Sequence, residues 1–378
     1  MRGVRYPADL RKFKREYLAV FDIKGMQRRW QDLWNANRFI KTNFPKRIHK
    51  ILLADYHHLF EYYRIFTHRN PRSISAAEMG VLKSIFNYSD KYQSDIAGFF
   101  MNHSSDLDLS VCHYCETAYT NCYQVPDNDE EHLYYLNTAS FDSLKKKFRL
   151  CDRTINAIIA MRQIRSLDDF ERQGMARKFW NKPYKVRGLF PKTVLKNHFD
   201  IDHVLDKGSC PLVALSLMNF VPSCQICNQR LKRSYPLGDR RRNAPIEHLS
   251  PTSPSFDFDE KVEIRLIPKT RADGTLPDPA FAIYEKDYYE LDFSVSDSDF
   301  NHFISLFHLK ERYQFHKEEG LYWIQAKERY SDSAIFLMAN GLGVPQLSKD
   351  RIKEDIFRHD YDMIRKPTFA KLKRDCLK

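Results

Sequence analysis

The residues best equipped for chemistry fall in three short runs of this 378-residue chain. Two are Cys-x-x-Cys pairs with the same gap, Cys112-His-Tyr-Cys115 and Cys224-Gln-Ile-Cys227. One such pair presents two thiolates from a tight turn. A structural zinc ion takes four ligands in a tetrahedron, so the two pairs together complete one site. Cys122, Cys151, Cys210 and Cys376 lack that spacing and are read as ordinary residues, and His113 is expected to be exposed rather than a ligand. The third run is His198-Phe-Asp-Ile-Asp-His-Val-Leu-Asp206. Within it Asp202 offers a hard oxygen suited to Mg²⁺ or Mn²⁺, and His203 a base that titrates near neutrality, which are the parts of a hydrolytic site. His198 and Asp200 stand beside them as further candidates for the metal. On an extended strand neighbouring side chains point to opposite faces, so Asp202 and His203 need the strand to bend or end there; Gly208 and Pro211 supply the turn.

From Asp202 to Lys232 the chain reads Asp-His and then Asn-x-x-x-x-Cys-x-x-Cys-Asn-x-x-x-Lys, with Asn219, Cys224, Cys227, Asn228 and Lys232 in those places. This resembles the signature of HNH endonucleases of the zinc-stapled type. The resemblance implies a ββα-metal unit in which two antiparallel strands carry the Asp-His pair and the Asn loop, and the next helix presents the last metal ligand. It further implies that Asp202 ligates a catalytic Mg²⁺ or Mn²⁺, that His203 activates water, that Asn219 orients His203 through the loop, and that Asn228 is the second metal ligand. Arg230, Lys232 and Arg233 would then contact flanking phosphates. Two departures stand out: the family's last position is often His, where this chain has Asn228, and its first cysteine pair usually lies close before the Asp-His pair. Here 108 residues separate Cys115 from Cys224. The helical run before the first knuckle and the basic ending Lys366 to Lys373 also resemble the HNH subunits of ATPase-linked anti-phage systems of the Septu type. That likeness implies an ATPase partner.

Several elements must position these residues. Phe39 to Phe66 and Ser75 to Phe100 carry apolar side chains at three- and four-residue spacing and predict helices, broken at Asn70-Pro71. The gap between the cysteine pairs predicts a helical insertion, with Phe141, Leu144, Phe148, Ile155, Ile158 and Ile159 on apolar faces; Thr154 to Phe170 resembles half of a helix-hairpin-helix motif without its glycine hairpin. Pro236 to Pro254 reads as a connector, Val262 to Ile267 and Ala280 to Val295 as strands, and Phe300, Phe303, Ile304, Phe307 and Leu309 as one buried helix face. Asp355, His359 and Asp360 read as a capped helix end rather than a metal cluster. The expected fold is α+β and mainly helical: a basic helical domain at 1–105, an HNH module with a treble-clef-like zinc core at 106–240 carrying the insertion at about 122–195, and a mixed α/β region at 241–378.

Charge points to a polyanionic partner. Lys and Arg number 61 against 49 Asp and Glu, a net +12, and residues 1–50 hold 14 basic side chains against four acidic ones. A second basic cluster is Arg230, Lys232, Arg233, Arg240, Arg241 and Arg242. Arg28-Arg29-Trp30 interleaves base and aromatic, so Arg28 and Arg29 are nucleic-acid candidates too. No apolar run is long enough to cross a bilayer and no secretory leader is read, so a cytoplasmic protein is expected. The expected function is metal-dependent cleavage of nucleic acid, DNA favoured. The alternatives are an RNA- or tRNA-cleaving HNH toxin and a non-catalytic zinc-stapled binding scaffold.

Overall fold

The computed structural model describes residues 1–68, 73–126, 129–179, 190, 193–239, 244–341, 352 and 368–377. The fold is mixed α+β and mainly helical, with small antiparallel sheets. It divides into two compact units, Met1–Asn121 with His198–Lys378, and Cys122–Asn197. The expected boundaries at 105 and 240 fall inside the first unit. Asn70-Pro71, Arg240, Arg241, Arg242, Lys366, Asp355, His359 and Asp360 lie outside the described residues.

The first unit begins with helices α1 (Leu10–Ala19), α2 (Ile23–Ala36), α3 (Arg38–Asn43), α4 (His49–Leu52), α5 (Tyr56–His68), α6 (Ala76–Ile85) and α7 (Gln93–Asn102). Caps place their starts: Asp9 and Asp22 accept from Lys12 N and Gly25 N, and Ser75 forms a capping box with Glu78. Buried residues then recur at helical spacing, as in Met26, Trp30 and Leu33 of α2. The periodic stretch 39–66 is three helices, because Phe44 precedes Pro45 and a residue before proline is driven out of the helical region; Phe44 is extended. A wide helical turn, Tyr88–Tyr92, leads into α7. The interleaved aromatics largely join the core: Trp30, Tyr56 and Tyr63 are buried.

The second unit opens and closes on an antiparallel pair, β1 (Cys122–Pro126) with β2 (Thr193–Asn197). Between them lie α8 (Asp129–Thr138), α9 (Phe141–Phe148), α10 (Asp152–Ala160) and α11 (Leu167–Ala176). Their core holds Leu144, Phe148, Ile155 and Ile158, with Phe141 and Ile159 partly buried against it. Asn137 fastens the turn before α11, accepting from Gln163 N and Ile164 N through Oδ1.

Back in the first unit, β3 (Asp200–His203) pairs antiparallel with β4 (Phe220–Ser223), setting His203 opposite Phe220 and Asp202 opposite Val221. A short helix follows, α12 (Ile226–Lys232), wound so that Arg233 N donates to the carbonyl of Asn228 at 2.8 Å. The loop between β3 and β4 is clasped by the N-terminal helices: Tyr17 donates to the carbonyl of Leu215 and Ser216 to that of Ile51. The small pair β5 (Gly238–Asp239) with β6 (Ala244–Pro245) comes next. Then come α13 (Phe258–Lys261), β7 (Val262–Pro268) paired with β8 (Tyr289–Val295), α14 (Asp299–Leu306), α15 (Leu309–Phe315), α16 (Lys317–Arg329), α17 (Asp332–Gly341) and α18 (Ala370–Leu377). The second strand expected over Ala280–Val295 starts only at Tyr289. Ahead of it Pro279, which has no N–H for a ladder, opens a tight turn capped by Asp278. Among the described residues no helix is long and apolar enough to cross a membrane.

Candidate functional site

The two cysteine pairs meet. Cys112 and Cys115 lie on a knuckle held by Cys112 N to the Ala118 carbonyl and Glu116 N to the Cys112 carbonyl, and His113 N donates to the carbonyl of Pro222 in β4. Cys224 and Cys227 flank the start of α12. All four thiols are buried, and their sulfurs lie within 4.8 Å of one another. The Cys115–Cys224 separation is 4.0 Å, against an edge of about 3.8 Å for a tetrahedron with Zn–S bonds of about 2.3 Å. The donor set and its spacing therefore suit a zinc ion. Two of the sulfurs also have donors: Arg312 of α15 donates to Cys227 Sγ at 3.3 Å and to Thr117 Oγ1, which in turn donates to Cys115 Sγ at 3.2 Å. Hydrogen bonding from Cys112, with Arg312 adding to it, holds the Cys115 thiol well below its ordinary range.

The long separation of the pairs closes at one point. His198 N donates to the carbonyl of Asn121, so the chain leaves the first unit and returns to it at adjacent residues. His113, expected to be exposed, is buried, with Nδ1 3.3 Å from the Arg2 carbonyl oxygen; it is not part of the thiol group. Cys122, Cys151, Cys210 and Cys376 are not members of the four-thiol group.

His203 ends β3 with its ring between Tyr88, at 4.5 Å and perpendicular, and Phe220, at 4.9 Å. Its Nε2 lies 3.0 Å from the carbonyl oxygen of Ala214. A carbonyl only accepts, so Nε2 carries the hydrogen and the neutral ring keeps its lone pair on Nδ1. Burial, with Lys207 adding to it, pushes the imidazole down to about 3, so it is neutral at pH 7. Asn219 fixes the loop that carries Ala214. Its Oδ1 accepts from Leu205 N at 2.7 Å and its Nδ2 donates to the carbonyls of Leu205 and Val213.

Asp202 faces the other way. Tyr114, inside the first knuckle, donates to its Oδ2 at 2.5 Å, and Lys232 Nζ sits 3.3 Å from Oδ1 and 3.1 Å from Oδ2 while also donating to the carbonyl of His203. Lys232 is 1% exposed and Asp202 3%. Burial holds the Asp202 carboxyl above its ordinary range, with Lys232 opposing. Asn228 meets a different carboxylate: its Nδ2 lies 3.2 Å from Asp200 Oδ2, which also accepts from Gln229 at 2.8 Å. Asp200 and Asp202 are two apart on a strand and Asn228 and Lys232 four apart on a helix, so each helix residue lies over its own carboxylate. The structure thus does not bring Asp202 and Asn228 to a shared divalent ion, because the cation against Asp202 is an ammonium group. Lys232, expected at a flanking phosphate, is internal for the same reason.

Arg230 and Arg233 are exposed, and so is Arg28; Arg29 is half-buried with Nη1 3.5 Å from Ser84 Oγ. His198 is exposed and Asp200 half-buried. The residues that sequence reasoning missed come from far along the chain. Tyr88 covers His203, and burial, with Asp200 and Asp202 adding, pushes its phenol up to about 12. Lys207 lies over Tyr88 at 4.6 Å. Tyr114 is stacked on Phe307, just past the end of α14, at 4.5 Å. Only Lys207 carried a signal, being four residues beyond His203. Compared with known proteins, the chain matches no protein-family model, no curated protein and no solved structure.

Proposed function

We propose that this chain is an HNH-type nuclease that hydrolyses phosphodiester bonds in nucleic acid, with His203 as general base. The observation that carries this reading is the fixed tautomer of His203: Ala214 takes the Nε2 hydrogen and Nδ1 is left to accept a proton. In the step itself, Nδ1 takes a proton from water as the water oxygen bonds to phosphorus, and the bond to the leaving oxygen breaks. The phosphate's negative charge would raise the imidazole from its depressed value, so substrate itself would make the base stronger. Lys207, half-buried over the Tyr88 ring that covers His203, would neutralise a phosphate oxygen, and exposed Arg230 and Arg233 would hold neighbouring phosphates. The resemblance to HNH enzymes calls for Mg²⁺ or Mn²⁺. Asp202 and Asn228 do not fit one such ion together, since the ammonium group of Lys232 already stands against Asp202. The thiol cluster's part is structural, tying the first knuckle to β4 and α12. An ATPase partner, suggested by the Septu-type likeness, would act as regulator.

The test is cleavage of plasmid DNA and of total RNA by the full chain with Mg²⁺, Mn²⁺ or EDTA, beside His203→Ala. Cutting of DNA, lowered about 10²- to 10⁴-fold in the variant at equal folded yield, is expected. Cutting of RNA alone would make the chain an RNA-cleaving toxin. Binding of nucleic acid with no cutting in any metal would overturn the nuclease reading in favour of a scaffold, the reading that the closed Asp202–Lys232 pair favours.

A further inference from the structure

We propose that His248, Asp297 and Asp299 form a second divalent-cation site, taking a first-row ion such as Zn²⁺ or Mn²⁺. His248 lies in the tight turn Glu247–Leu249, while Asp297 and Asp299 lie at the entrance to α14. His248 Nε2 is 3.5 Å from Asp297 Oδ2 and 3.5 Å from Asp299 Oδ2. Neither approach makes a hydrogen bond: the nitrogen is shielded from solvent and has no hydrogen-bond partner. A shielded polar atom without a partner costs about 1–3 kcal/mol and asks for an explanation, an ion among them.

The spacing supplies one. Zinc bonds of about 2.1 Å to nitrogen and oxygen give a tetrahedron with edges of about 3.4 Å, close to both measured separations. All three ligand atoms lie within 4.8 Å of one another. The donors are also held in place. Asp297 uses its other oxygen to accept from Asp299 N at 3.0 Å, and the His248 ring packs edge-on against Phe300 at 5.6 Å. One imidazole and two carboxylates suit borderline to hard cations and offset the charge of a divalent ion. The three side chains are 28%, 33% and 43% exposed. This donor set shares no residue with the thiol cluster and does not depend on the nuclease reading. An ion here would join the turn at 247–249 to α14, whose Phe303 packs on Tyr114 together with Phe307 at the helix end.

The experiment is metal analysis of the full chain after loading with Zn²⁺ and desalting, beside His248→Ala and Asp299→Asn, followed by Mn²⁺ titration read by electron paramagnetic resonance. Two zinc ions per wild-type chain and one in each variant are expected, with Mn²⁺ binding weakened roughly 10- to 100-fold by either change. Cobalt substitution separates the sites, because the thiolate charge-transfer band should persist in both variants and so reports that they are folded. A single zinc ion in the wild type, or undiminished Mn²⁺ binding in both variants, would overturn the proposal and leave His248, Asp297 and Asp299 as a cluster that holds no ion.

Discussion

Replacing Lys232 by Met removes an ammonium group that is 1% exposed and leaves the Asp202 carboxylate inside the protein with Tyr114 as its remaining side-chain donor. Breaking a buried ion pair from one side costs about 3–5 kcal/mol, because an uncompensated charge stays behind. That is a large share of the roughly 5–15 kcal/mol that holds an ordinary domain together. Asp202→Asn should cost a similar amount, since the ammonium would then face only a neutral amide and the His203 carbonyl. The double change Lys232→Met with Asp202→Asn leaves no charge unpaired, keeps the Tyr114 hydrogen bond and nearly conserves volume. It should lie within about 1–2 kcal/mol of the wild type, so the cycle should show a coupling of about 3 kcal/mol or more. Urea unfolding of the four proteins, each with its zinc content verified, measures this. Single variants that each cost under about 1 kcal/mol and simply add would refute the reasoning. So would Lys232→Met being stabilised by Mg²⁺ where Asp202→Asn is not, because Asp202 would then be a metal ligand from which Lys232 withdraws.

Acid should weaken the fold through His203. Its folded value of about 3 lies below the unfolded value of about 6.5, so between the two the unfolded chain binds a proton that the native one refuses. Stability is therefore lost as pH falls, by about 2 kcal/mol from pH 7 to pH 5 for this group, and His203→Gln should flatten that part of the stability–pH curve; an unchanged slope would show that the imidazole is not buried neutral. Asn219→Ala strips partners from Leu205 N, the Leu205 carbonyl and the Val213 carbonyl at a fully buried site, and should cost about 3 kcal/mol in urea unfolding. A loss under about 1 kcal/mol would mean that the loop holds its shape without the amide.

What could be read in advance was what is local. Cys-x-x-Cys is a turn that carries its own geometry, so two such pairs announced a four-sulfur cluster without any knowledge of the path between them. Helix faces such as Met26, Trp30 and Leu33, or Leu144 and Phe148, were legible because burial repeats with the helical period. The partner of Asp202 was not legible. It depends on how α12 lies across β3, and a shift along that helix exchanges Asn228 for Lys232 as the residue over the carboxylate. Tyr88 stands 115 residues before His203, which it covers, and Phe307 stands 193 residues after Tyr114, on which it stacks, so no spacing rule connects either to its partner. The same is true of His248 with Asp297 and Asp299.

The first knuckle does more than supply two sulfurs. Cys115 joins the thiol cluster, Tyr114 holds Asp202, and His113 N ties the turn to β4, so three consecutive residues bind three different parts of the site. Asp202 in turn holds Lys232, and Lys232 donates to the carbonyl of His203. A continuous path therefore runs from the thiols to the backbone of the candidate base. Opening the knuckle would be felt at Tyr114 and, through Asp202 and Lys232, at the His203 carbonyl. This also accounts for how the Cys122–Asn197 unit can sit between the two cysteine pairs. In sequence it is inserted between Asn121 and His198, which are hydrogen-bonded to each other, and the thiols, Tyr114, Asp202 and His203 all belong to the first unit.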